Sequence, residues 1–239
     1  MKPAFLSEQD IEQRAASVLR QYERQTGTVV QEPVPIDDIV DVTLDVPILW
    51  RSIPAVRGSQ PAGKFVQPTL GKPACIVLNE DLLDTVFAAT PGFEHTTLAH
   101  EAGHAVLHRE PHRSQQLDLG LVLVEPTREI VSTVSDLEGG LQRAIALRGP
   151  AGDDYWREWQ AFTFMRYILM PRPLIQSLLI GNRFLNWSGP GSLYDLRDRF
   201  GVTISALVMH LSKLGFIEVD EHRRIHDRRA SAVGQRSLT

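Results

Sequence analysis

Apolar positions recur at helical spacing over residues 8–25, where Ile11, Ala15, Val18, Leu19 and Tyr22 share one face between charged neighbours, and predict an amphipathic helix. The period then shortens. Val42, Leu44, Val46, Ile48 and Leu49 predict a strand within residues 41–53. Residues 62–66 and 74–79 predict a hairpin about the Gly71-Lys72-Pro73 turn. Helical spacing returns with Leu98, Ala99, Ala102, Ala105, Val106 and Leu107, a helix that Thr96 or Thr97 can cap. Residues 109–155 carry the weakest pattern: 119–124 suggest a strand, 136–148 a helix broken by Gly139-Gly140, and the whole an insert or flap. Residues 155–170 predict a helix stopped by Pro171, and another runs from Pro173 to Ile180. Two short helices, 193–200 and 203–214, flank a Gly201 turn with helix-turn-helix spacing.

The second of these helices carries chemistry. His100-Glu101-Ala102-Gly103-His104 sets two imidazoles one helical turn apart, about 40° around the axis and about 6 Å along it, so both can face one metal ion. Glu101 projects beside the pair, where a carboxylate can hold and deprotonate a metal-activated water. The bland alternative is a solvated helix that happens to carry histidines. The flanks oppose it, since nearly all polar residues of the run belong to the motif itself. Gly103 weakens a helix by about 1 kcal/mol relative to Ala, which makes sense if another backbone passes close by. His108 continues the spacing but lies about 12 Å along the axis from His100, too far to share its metal. It reads as a hydrogen-bonded helix-end residue, or as a group that supports the site or meets the substrate.

A third ligand must come from elsewhere. On the helix at 155–170, Ala161, Phe162, Phe164, Met165, Ile168 and Leu169 form a broad apolar arc, with Gln160, Thr163 and Arg166 on the other side. Glu158 falls inside the apolar arc. A core-facing carboxylate must be paired, protonated or metal-bound. Spacing leaves a solvent-leaning Glu158 equally open, with Asp153 and Asp154 in reserve.

The stretch 100–108, HEAGHAVLH, resembles the metal helix of the ImmA/IrrE-type zinc metallopeptidases, and Glu158-Trp159-Gln160-Ala161 followed by Leu169-Met170-Pro171 resembles their second metal helix. The Pro35–Val40 lead-in and the helices at 200–217 extend the likeness to residues 8–218. Phe162 replaces the small polar residue usual there, Thr96 an aromatic, and the interval between the metal helices is longer. The resemblance implies an α+β fold: a zincin-like core with a small, mostly antiparallel sheet and the HExxH helix, then C-terminal helix-turn-helix-like helices. The chain divides into a catalytic region over 1–180, a helix-turn-helix-like region over 181–218 and a tail over 219–239 that its arginine, serine and glycine content reads as flexible and fraying from Asp220. The resemblance implies that His100, His104 and Glu158 hold Zn²⁺ and that Glu101 is the catalytic carboxylate. The implied substrate is a helix-turn-helix transcriptional repressor, cut at one site in stress or mobile-element regulation.

Composition narrows the rest. No apolar run approaches a membrane span, residues 1–13 lack an apolar signal core, and the single Cys75 forms no internal disulfide, so a cytoplasmic protein is expected. A net charge of −4, and balanced charges on the C-terminal helices, disfavour nucleic-acid binding. The rival expectation is a non-catalytic metal-binding regulator acting by protein contact or on DNA. Glu101 weighs against it, because a merely structural metal site needs no base there.

Overall fold

The structure, a computed structural model, describes residues 6–55, 60–85, 90–109, 129–133, 153–179, 186–222 and 224–228. Helix α1 (Glu8–Thr26) starts at a reciprocal cap, in which Asp10 N–H donates to Ser7 Oγ and Ser7 N–H to Asp10 Oδ2. Its predicted apolar face is buried at all five positions. The strand expected over 41–53 is shorter than the alternation suggested. Helix α2 (Ile36–Asp38) runs on as a wide helical turn through Ile39–Thr43, closed by Leu44 N–H donating to Ile39 O at 3.0 Å. Val42, half-exposed on that turn, pairs with no strand; β1 is only Ile48–Arg51. A few alternating residues fit a helical turn as well as a strand, and Pro35 ahead of Asp37-Asp38 tips this stretch toward helix.

Strands β2 (Pro61–Val66) and β3 (Cys75–Asn79) form the expected hairpin, Val66 opposite Cys75, with Thr69 and Lys72 exchanging backbone bonds across its tip. With β4 (Glu129–Thr133) the sheet order is β1-β3-β2-β4. Among the described residues only β1 and β3 are parallel, so this sheet is mostly antiparallel. Strand β4, last in that order among the described residues, was not legible in the sequence; residues 119–124 and 136–148 lie outside the described residues.

Helix α3 (Phe93–Leu107) lies between the sheet, touching β2 and β3, and α4 (Asp153–Leu169); α1 packs on the far side of α4. It begins one turn earlier than expected, at Gly92, so Thr96 and Thr97 are buried inside it rather than capping it. Helix α4 is buried nearly all round. Gln160, Thr163 and Arg166, the arc opposite the apolar one, are at most 2% exposed. Arg166 donates from Nη2 to Thr163 Oγ1 and from Nη1 to Met209 Sδ, so that arc is covered by protein rather than water.

After Pro171 come α5 (Arg172–Leu179), α6 (Leu193–Phe200) and α7 (Ile204–Lys213), the last two started by Ser192 and Thr203 caps. The α6–α7 turn sits on the start of α3. His95 ring nitrogens lie 2.9 Å from Gly201 O and 2.8 Å from Val34 O, and Thr203 N–H donates to Thr96 Oγ1. A Cβ on Gly92 would collide with the Val202 backbone. On α7 only Ser212 and Lys213 are exposed. The chain from Asp220, which composition reads as fraying, instead returns as a hairpin of β5 (Ile217–Val219) with β6 (Ile225–Asp227), while 229–239 lie outside the described residues. Among the described residues no helix is long and apolar enough to cross a membrane.

Candidate metal centre

The centre is built where α3 crosses α4. Gly103 permits the approach: a Cβ there would stand 2.9 Å from Ala161 O and 3.0 Å from Ala161 Cα. The backbone contact anticipated from Gly103 is therefore the α4 backbone itself. Close crossing brings the donors of the two helices to one point. His100 Nε2 and His104 Nε2 lie 3.1 Å apart, and Glu158 Oε2 and Oε1 lie 3.2 Å and 3.5 Å from them respectively. Ligands at the usual zinc bond lengths of about 2.0–2.1 Å on a tetrahedron stand about 3.3 Å from one another, so these spacings fit a single small ion. The group is buried, and it could hold a metal ion. Glu158 therefore faces α3; the Asp153 and Asp154 side chains lie outside the described residues.

Electrostatics agree with the donor chemistry. Burial alone would raise the Glu158 carboxyl, but His104 and His100 outweigh it and hold it well below the usual carboxylate range. An ionised carboxylate beside two imidazoles is a ligand set ready for a divalent cation. Phe162 packs its ring 4.2 Å from that of His100, centroid to centroid, and this contact restrains the His100 plane.

Glu101 follows His100 on α3 and is fully buried. Strand β2 crosses directly over it: a Cβ on Gly63 would lie 3.2 Å from Glu101 Cγ and 3.1 Å from Thr97 Cγ2. Gly63 was not singled out in the sequence, although an isolated glycine within a strand signals such an approach. His108, at the α3 C-terminus, is no ligand. Its Nδ1 lies 2.9 Å from His104 Nδ1 and its Nε2 2.9 Å from Gln160 Oε1. Burial and the neighbouring His104 push its pKa down to about 3, so the ring is neutral. Gln67 Nε2 donates to His108 O at 2.8 Å and fixes the helix end. Gln67 and Gln160 are supports that no sequence pattern disclosed.

Compared with known proteins, the chain matches no family model and no curated protein. What the site can do therefore rests on its own geometry. Two imidazoles and a carboxylate on crossing helices, with a further carboxylate on the same helical turn, can bind a cation on one side and accept a proton on the other.

Proposed function

We propose that this chain is a zinc-dependent endopeptidase with a zincin-like core. The observation that carries the proposal is the His100–His104–Glu158 triangle, with edges of 3.1–3.5 Å, next to a buried glutamate that the triangle does not use. A zinc ion held there supplies Lewis acidity, making a water more acidic and polarising a carbonyl. The other work falls to the protein. His100, His104 and Glu158 would hold the ion as its three protein ligands. Glu101 takes the proton of the attacking water and delivers it to the leaving amine as the peptide bond breaks. The low-polarity surroundings of α3 strengthen each charge interaction during that transfer.

The substrate follows from the resemblance: a helix-turn-helix repressor cut at one site. Helix α7, exposed only at Ser212 and Lys213, favours a structural or docking role for the C-terminal pair over insertion into DNA. Co-expression with a candidate helix-turn-helix repressor tests the proposal. The expected result is discrete repressor fragments that vanish with Glu101→Gln, while that variant still binds about one zinc per chain. Equal cleavage by the variant removes Glu101 from the mechanism.

A further inference from the structure

Behind His104 the structure holds a hydrogen-bonded chain that peptide hydrolysis does not by itself require. His104 Nδ1 meets His108 Nδ1 at 2.9 Å, and His108 Nε2 meets Gln160 Oε1 at 2.9 Å. The ring tautomers set the direction of both bonds, and one assignment leaves His104 Nε2 free for a metal. In that assignment the Gln160 oxygen has no proton to give, so His108 Nε2 carries the hydrogen and donates. A neutral imidazole has one N–H, which leaves His108 Nδ1 as an acceptor. The proton between the two rings then belongs to His104 Nδ1, and His104 Nε2 keeps its lone pair. That lone pair points to where His100 Nε2 and Glu158 lie, at 3.1 Å and 3.5 Å.

We infer that His108 and Gln160 are positioning residues that select the metal-binding tautomer of His104 and hold its ring plane. The placement is economical in sequence terms. His104 and His108 are one turn apart on α3, while Gln160 follows Glu158 by two residues on α4, so the α3–α4 crossing supplies both a ligand and the end of the relay. His108 is itself held at the backbone, where Gln67 Nε2 donates to its carbonyl. Supporting groups behind metal-bound histidines are most often carboxylates or carbonyls. Here an amide oxygen acts through a second imidazole. The inference rests on the metal-centre proposal above.

The test has two parts. Long-range ¹H–¹⁵N spectra of the zinc-loaded wild type should show His108 as the Nε2–H tautomer and His104 protonated at Nδ1. Zinc affinity, read by competition with a chromogenic chelator, should fall about 10–100-fold in Gln160→Leu and in His108→Phe. Gln160→Glu, which keeps an oxygen acceptor at the same place, should restore binding to near the wild-type value. Should His108→Phe fail to fold, Gln160→Leu and the wild-type spectra carry the test. A His108 that is protonated at Nδ1, or folded variants that bind zinc as tightly as wild type, overturns the relay and leaves the centre standing. A wild-type chain that binds no zinc overturns the centre, and the relay with it.

Discussion

Gly103→Ala sets two effects of known size against each other at the helix crossing. In a helix interior alanine is favoured over glycine by about 1 kcal/mol, so on α3 alone the substitution stabilises. The added methyl would stand 2.9 Å from Ala161 O, 3.0 Å from Ala161 Cα and 3.3 Å from Phe164 Cδ1. Two of these are backbone atoms that cannot swing aside, and overpacking of this kind costs about 1–3 kcal/mol. The cost wins, and the expected net loss reaches about 2 kcal/mol in the metal-free protein. The relief available is for α3 and α4 to move apart, which has a selective consequence. His100 and His104 travel together on α3, so their 3.1 Å spacing is kept, whereas both spacings to Glu158 must lengthen. Zinc binding should therefore weaken, about tenfold for each 1.4 kcal/mol of strain carried into the bound state. Urea unfolding of the metal-free chain and chelator competition for zinc measure the two terms separately. A variant that unfolds at higher urea and binds zinc normally would refute the claim that this crossing is closed by backbone contact.

Glu158→Gln should abolish tight zinc binding, because it removes an anionic ligand, whereas Glu101→Gln should retain the ion; metal analysis after gel filtration separates the two roles. Replacing His95 with leucine removes the bridge between Val34 O and Gly201 O, and should lower stability by about 1–3 kcal/mol while exposing the α6–α7 turn to limited proteolysis. Burial, reinforced by Arg166, pushes His210 down to about 3 from its ordinary 6.5. Between those values the unfolded chain binds the extra proton and the folded chain does not. Stability is thus full above about pH 6.5 and falls on acidification by up to about 1.4 kcal/mol per pH unit, and His210→Phe should flatten that slope in urea titrations of the metal-free chain.

The site was more legible than its supports, for a physical reason. Ligand spacing on α3 is a local property of the helix, so His100 and His104 could be paired from the chain alone. Glu158 needed one inference more, since its face was read from the apolar arc of α4. The same arc left the burial of Gln160, Thr163 and Arg166 unread. Amphipathic reasoning assigns the polar side of a helix to water, but here α1, α7 and the end of α3 cover it, and the polar groups bond to one another and to their new neighbours. The 41–53 region failed differently, because a short alternation does not distinguish a wide helical turn from a strand.

The residues that escaped the sequence share one property: their roles exist only across an interface between elements. Gly63 matters because β2 passes over Glu101, and Gln160 because α4 crosses α3 within reach of His108. Gly103 was readable because a glycine in mid-helix is locally costly and demands a reason. Gly63 carries a similar demand in a strand, but a weaker one, since strands accept glycine at bulges, and the β2 register does shift between Pro61 and Gly63. Gln160 carries none, because glutamine is at home in any helix. The visibility of a functional residue in a sequence thus follows the local free energy it sacrifices. The candidate ligands and a mid-helix glycine stand out, while a strand glycine is fainter and a supporting amide that suits its helix stays silent until the helices are packed.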